Sequence, residues 1–121
     1  MTKSILVIDD DAMNREVMEA FLEIEGYRVI LASNGKQGIS HLQTASPDLI
    51  ILDVRLPDIS GYEVCRQIRT TQPTLPIIIV TGFDADDVKD TVFAAGATDF
   101  LPRPFGGDDL INRVKSLLQP A

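Results

Sequence analysis

The chain has 121 residues, of which 18 are acidic and 11 basic, and its formal net charge is −7. This length predicts a single domain over residues 1–121, long enough to bury roughly 65–70% of the surface that the unfolded chain exposes. The acidic balance disfavours direct binding to nucleic acid or to an anionic membrane, and it favours metal cations and basic partner surfaces.

Cysteine content and hydropathy indicate the compartment. The chain has one cysteine, Cys65, which excludes an intramolecular disulfide framework and makes a reducing cytoplasm the simplest setting. No apolar run reaches the roughly 18 residues that a membrane span needs, and no signal peptide leads the chain. We therefore expect a cytoplasmic protein, or a module of a longer one, without a membrane anchor.

The first half of the chain alternates between apolar runs and segments with helical spacing. Residues 5–8 predict a buried strand, and a helix with an apolar stripe follows it and ends at Gly26. The stripe consists of Met13, Val17, Phe21 and Ile24. Residues 27–32 predict a second strand, and Ile39 and Leu42 mark a shorter helix after it.

The second half continues this alternation, with strands predicted at residues 49–54, 76–82 and 98–101. The apolar positions of the three helices that follow these strands are Val64 and Ile68, then Val88 and Val92, then Leu110, Ile111, Val114, Leu117 and Leu118. The first, third and fourth strands are nearly continuous in Ile, Leu and Val, which is typical of parallel strands covered by helices on both faces. Five βα repeats therefore predict an α/β fold with right-handed crossovers.

Polar residues follow several of the predicted strands. Ligands of open α/β sheets bind beyond the carboxyl ends of the strands, so these residues are candidates for a site. They are Asp9, Asp10, Asp11, Asp53, Thr81, Gly82 and Arg103. Asp11 directly precedes the first helical stripe, so we expect it to cap that helix rather than to bind a metal.

The remaining strand-end residues favour a magnesium-dependent reaction with phosphate. Clustered carboxylates repel one another unless a cation or a proton relieves the repulsion. An all-oxygen set of ligands suits Mg²⁺, which keeps several waters for a phosphate to replace. One carboxylate can then attack phosphorus and form an aspartyl phosphate. Thr81 can donate a hydrogen bond to a phosphoryl oxygen, and Arg103 can neutralise the charge of the phosphoryl group.

These residues resemble the receiver domain of two-component response regulators, and the resemblance covers essentially the whole chain. It rests on four motifs in order: VIDD (7–10), DLIILDVRLPDISG (48–61), VTG (80–82) and DFLPRPF (99–105). Each motif alone is weakly specific, but the four together, at strand ends, are highly specific. The resemblance implies a flavodoxin-like (βα)5 fold with a parallel five-stranded sheet in the order 2-1-3-4-5.

The resemblance also implies a phosphoacceptor and a metal site. Asp53 would take a phosphoryl group from the phosphohistidine of a sensor histidine kinase or of a histidine phosphotransfer protein. Asp10 and Asp53 would bind Mg²⁺ directly, Asp9 would act mainly through water, and the backbone carbonyl of Arg55 would be the third protein ligand. The domain would not be an enzyme beyond its own phosphorylation and dephosphorylation.

A conformational switch is implied as well. Thr81 matches the switch hydroxyl, and Phe100 matches the aromatic residue that turns inward on phosphorylation. The responsive face would comprise the fourth helix, the fifth strand and the fifth helix, and it would bind a downstream effector or a second copy of the domain. Phe83 lies two residues after the switch hydroxyl, where a bulky apolar side chain is expected to impede water and slow dephosphorylation.

One residue departs from the family pattern and keeps an alternative open. The family has lysine before a cis-proline, and this chain has Arg103 before Pro104. Because arginine is longer and planar, the exchange is not conservative at a tight site. The alternative is a pseudo-receiver, a binding module that does not depend on phosphorylation.

Two further functions are disfavoured by particular residues. A phosphatase with an aspartyl phosphate intermediate usually needs a second acid two residues after the nucleophile, and that position is Arg55. A flavin-binding module needs a phosphate-binding loop after the first strand. Here three consecutive aspartates, residues 9–11, follow that strand, and they would repel a flavin phosphate.

Overall fold

The computed structural model describes residues 2–82 and 85–118. The strands are β1 Ser4–Ile8, β2 Arg28–Ala32, β3 Leu49–Asp53, β4 Ile77–Thr81 and β5 Asp99–Pro102. The helices are α1 Ala12–Ile24, α2 Gly35–Ala45, α3 Gly61–Thr71, α4 Ala85–Ala94 and α5 Gly107–Leu118. The strands form one sheet in the order β2-β1-β3-β4-β5, and every pair is parallel. The predicted fold class and strand order are confirmed.

Alternating side chains of the central strands divide the core into two layers, because successive residues of a strand point to opposite faces of the sheet. On β1, Leu6 and Ile8 pack with the buried residues of α3 on one face. Ile5 and Val7 pack with those of α1 and α5 on the other. Both faces of the sheet are therefore covered, which explains why the central strands are apolar throughout.

The helix ends follow local chemistry. Asp11 caps α1 as predicted, since its side chain accepts hydrogen bonds from the backbone N–H groups of Met13 and Asn14. Gly26 after α1 and Gly96 after α4 have φ angles of 90° and 102°, which glycine adopts without strain. In the part of the chain that the structure describes, no helix has the length and apolar character needed to cross a membrane.

The apolar stripe of α1 indicates the helix correctly, but it is not the buried face of that helix. Met18 and Leu22 are buried and anchor α1 to the sheet, whereas Met13 and Ile24 are 71% and 81% exposed. We call Met13, Val17, Phe21 and Ile24 the α1 stripe. Helical spacing identifies a set of residues that share a face, but what covers that face depends on the packing of distant elements.

Candidate functional site

The fold brings three carboxylates together at the carboxyl edge of the sheet. Ile8 of β1 is paired with Leu52 of β3, so Asp9 and Asp53, the next residues, leave neighbouring strands at the same level. One carboxylate oxygen each of Asp9, Asp10 and Asp53 lies within 4.8 Å of the others. We call these three residues the acidic cluster. These are the predicted carboxylate ligands, and within residues 2–82 and 85–118 no other histidine, cysteine, aspartate or glutamate belongs to the cluster.

Burial distinguishes the members of the site. Among the residues whose burial the structure describes, the buried polar ones are Asp9, Asp53 and Thr81, with exposures of 0%, 7% and 0%. All three were candidates from the sequence. Burying a carboxylate is costly unless hydrogen bonds or an opposite charge compensate for the lost water. Asp10, in contrast, is exposed and leaves one side of the cluster open to solvent.

Arg103 supplies much of the compensation. Its Nη2 donates to Oδ2 of Asp9 at 2.7 Å, and its Nη1 lies 3.6 Å from Oδ2 of Asp53. The other oxygen of Asp9 accepts from the backbone N–H of Asp11 at 2.9 Å. The other oxygen of Asp53 accepts from the backbone N–H of Arg55 at 3.2 Å. Arg103, the cation that the sequence offers to the site, therefore contacts two members of the acidic cluster.

The environment of Asp53 shifts its ionisation. Burial raises the pKa of the Asp53 carboxyl above its ordinary value, and the negative charge of Asp9 adds to this shift. The Arg103 guanidinium and the hydrogen bond from Arg55 oppose the rise in pKa without cancelling it. A second cation near Asp53 would favour the charged carboxylate further.

The backbone of β4 and β5 places Arg103 and Thr81 beside each other. The N–H of Arg103 donates to the carbonyl of Thr81 at 2.7 Å, and the Arg103–Pro104 peptide bond is cis, as the resemblance implies. Asp53 is paired with Val80, so Thr81 lies one residue further along the neighbouring strand. Phe83 lies outside the described residues.

The loop after β3 is tightly closed. The N–H of Gly61 donates to the carbonyl of Val54 at 2.8 Å, and a Cβ atom at Gly61 would lie 2.2 Å from the carbonyl oxygen of Asp53. Asp58 accepts from the backbone N–H groups of Gly35 and Lys36, each at 2.9 Å. These bonds hold the pKa of Asp58 at about 2 and tie the loop to the first turn of α2. The assignment of the Arg55 carbonyl as a ligand stays a prediction.

Phe100 lies apart from the acidic cluster. It is paired with Ile79 of β4, and its half-buried side chain packs against the core layer on the α3 face of the sheet. Its ring meets that of Phe93 edge to face, with centroids 5.9 Å apart and planes at 80°. Phe93 is 42% exposed, so this pair links the interior of β5 to the surface of α4.

An apolar groove of about 440 Å³ extends from the site along α1. Three of the four members of the α1 stripe line it together with Pro104 and Phe105. Gly82 and Arg103 also line the groove, so it is continuous with the residues that surround Asp53. The sequence identified the stripe but gave no signal that it faces a groove, because the opposite lining comes from the loop after β5.

Comparisons with known proteins agree with this geometry. The profile of the response regulator receiver domain matches residues 5–115. The response regulators MprA of Mycolicibacterium vanbaalenii and of Mycobacterium bovis are each 40% identical to the chain over 119 residues, covering 98% of it. The match covers 52% of each relative, so the chain spans about half the length of these curated proteins.

Solved structures give the same result for the whole fold. A putative response regulator from Chloroflexus aurantiacus superposes with a TM-score of 0.93 at 36% identity, over 98% of both chains. The chemotaxis response regulator CheY4 of Vibrio cholerae superposes with a TM-score of 0.92 at 28% identity, over 98% of this chain and 100% of that one. Both likenesses extend across the sheet and the strand ends that form the site.

Proposed function

Because the chain belongs to the response regulator receiver domain family, we propose that Asp53 accepts a phosphoryl group from a protein phosphohistidine. The donor is a sensor histidine kinase or a histidine phosphotransfer protein. We assign this role to residues 1–121 as one cytoplasmic receiver domain. The observation that carries the proposal is the burial of Asp9, Asp53 and Thr81 at one edge of the sheet. Polar groups that a fold buries close together, with one carboxyl pKa raised by that burial, are candidates for a functional site.

The residues of the acidic cluster fit Mg²⁺. They offer three carboxylate oxygens within 4.8 Å of one another, which is the hard oxygen set that this ion prefers, and Asp10 leaves an open side for water. The carbonyl of Arg55 is the further ligand in this proposal. When bound, Mg²⁺ would shield the charge of the carboxylates from an incoming phosphoryl group.

The chain's own residues carry out the transfer. A carboxylate oxygen of Asp53 attacks phosphorus, a P–O bond forms, and the P–N bond of the phosphohistidine breaks with its electron pair returning to nitrogen. Thr81 donates its hydroxyl proton in a hydrogen bond to a phosphoryl oxygen, and Arg103 pairs with the phosphoryl charge. The domain's own chemistry ends with slow hydrolysis of the resulting acyl phosphate.

The donor protein docks on the groove along α1. A phosphohistidine must approach Asp53 from the open edge of the sheet, so the protein that carries it contacts the surfaces around that edge. The α1 stripe is the largest set of exposed apolar side chains that the structure describes, and it leads directly to Arg103. Apolar surface of this kind is typical of protein interaction sites.

The switch operates through β5 and the helices beside it. Phe100 is in edge-to-face contact with the exposed Phe93, so a change in the position of the Phe100 ring must alter the surface of α4. The surface formed by α4, β5 and α5 then binds a downstream effector or a second copy of the domain in one state only.

Incubation with acetyl phosphate and MgCl₂, followed by intact-protein mass spectrometry, tests the proposal. We expect one phosphoryl adduct on the wild type and none on Asp53→Asn or in the presence of EDTA. Failure with acetyl phosphate and also with a phosphorylated histidine kinase, in a protein that still unfolds cooperatively, would contradict it. That result would favour the pseudo-receiver, for which Arg103 in place of lysine is the supporting observation.

A further inference from the structure

Arg103 contacts two of the three carboxylates of the acidic cluster. Its guanidinium donates to Asp9 at 2.7 Å and lies 3.6 Å from Asp53. We propose that Arg103 competes with Mg²⁺ for the acidic cluster and thereby sets the affinity of the site for the metal. This inference deepens the proposed function and rests on it only for the identity of the cation.

Asp9 is the residue at which the competition is strongest. Its side chain is 1% exposed, and its two oxygens are already engaged, one by Arg103 and the other by the backbone N–H of Asp11. A divalent cation drawn to the same carboxylates would lie within a few ångströms of the guanidinium. Two positive groups at that separation repel strongly where water is scarce, so the presence of one weakens the binding of the other.

The shape of arginine lets one side chain compete with the metal at two carboxylates. Its two Nη atoms face different carboxylates, so a single side chain bridges Asp9 and Asp53, whereas lysine would bring one compact charge. The backbone of Arg103 is fixed by its hydrogen bond to Thr81, which keeps the guanidinium within reach of the cluster. Because coupling between two ligands is reciprocal, metal binding weakens the Arg103–Asp9 pair and leaves Arg103 available to an incoming phosphoryl group.

Calorimetric titration with MgCl₂ alone tests the competition, and Arg103→Gln is the test variant. Coupling between sites commonly amounts to 5–150-fold in affinity, and we expect Arg103→Gln to bind Mg²⁺ about tenfold more tightly than the wild type. The matched control is Arg113→Gln, which removes the same charge from a pair with Asp99 (2.9 Å). Asp99 is the first residue of β5, at the end of the strand away from the acidic cluster. We expect the control to bind within about twofold of the wild type.

Thermal unfolding with and without MgCl₂ separates competition from a purely structural role. In EDTA, we expect Arg103→Gln to unfold at a lower temperature than the wild type. On addition of MgCl₂, we expect its unfolding temperature to rise by more than that of the wild type. A structural role alone would lower the unfolding temperature equally in both conditions. Equal or weaker Mg²⁺ affinity in Arg103→Gln, an equal thermal gain, or no binding to either protein would overturn the proposal. Neither experiment contains a phosphodonor. A chain that shows the competition but is never phosphorylated would therefore contradict the proposed function and leave the competition standing.

Discussion

Gly61→Ala should damage the proposed phosphoacceptor site by displacing the backbone of Asp53. A Cβ atom at Gly61 would lie 2.2 Å from the carbonyl oxygen of Asp53 and 2.8 Å from Cα of Val54, whereas real Cβ atoms keep at least 3.0 Å. Both neighbours are backbone atoms, so the end of β3 and the start of α3 must move apart by at least the difference of 0.8 Å. Overpacking of this kind costs about 1–3 kcal/mol, and for a domain of this size 1 kcal/mol lowers Tm by about 4 °C.

Asp53 lies at one side of this clash, so phosphorylation should slow as well if the end of β3 takes up part of the movement. A misplacement of about 1 Å in a reacting group can cost 10²-fold in rate, and we expect Gly61→Ala to react roughly tenfold to a hundredfold more slowly with acetyl phosphate. The rate is followed by intact mass, and stability by thermal unfolding. Gly106→Ala is the control, because nothing lies within 4 Å of a Cβ atom there. Wild-type stability and rate in Gly61→Ala would refute the steric argument.

Three further predictions concern ionisation and burial. The pKa of Asp53 in the folded protein is raised above its ordinary value of 3.8, so ionising this carboxyl lowers the free energy of unfolding as pH rises from 3.8 through the raised pKa. Asp53→Asn should therefore raise Tm by more at pH 7 than at pH 4. A lower Tm of the variant at pH 7 would be the contrary result. The pKa of Asp58 in the folded protein is lowered to about 2. Its contribution to the stability of the fold is therefore complete above the ordinary pKa of an aspartate, and it is lost as pH falls through about 2. Asp58→Ala should therefore unfold earlier than the wild type at pH 7, with the gap closing in strong acid; a gap of constant size would count against the α2 contact. Cys65 is fully buried and burial raises its pKa, so its thiol should react with a disulfide reagent far faster in urea than in the native protein, and equal rates would show that it is accessible.

The fold follows from the sequence because the signals that specify it are local. Continuous apolar runs such as residues 49–52 indicate strands buried on both faces, and the helical segments between them leave few topologies open. The positions of Asp9 and Asp53 also follow, since parallel strands end at one edge. Asp9, Asp53 and Thr81 are buried at the strand ends at which the sequence places them, and their roles stay predictions.

Other features depend on contacts between distant residues, so the sequence alone does not predict them. Arg103 was expected near the phosphoryl group, but its bond to Asp9 joins residues 94 positions apart and depends on how far a flexible side chain reaches. Asp58 binds α2 across a separation of 23 residues. The exposure of the α1 stripe is of the same kind, because Met18 and Leu22 pack on the sheet in its place.

Asp53, rather than Asp9 or Asp10, is the residue that we propose as the phosphoryl acceptor. Reduction of the acyl phosphate with borohydride, digestion with trypsin and mass spectrometry of the peptides distinguish the three aspartates. Cleavage after arginine and lysine places Asp9 and Asp10 in the peptide of residues 4–15 and Asp53 in that of residues 37–55. We expect the reduced residue at position 53 alone. A modification in residues 4–15, or at another aspartate of the second peptide, would contradict the account.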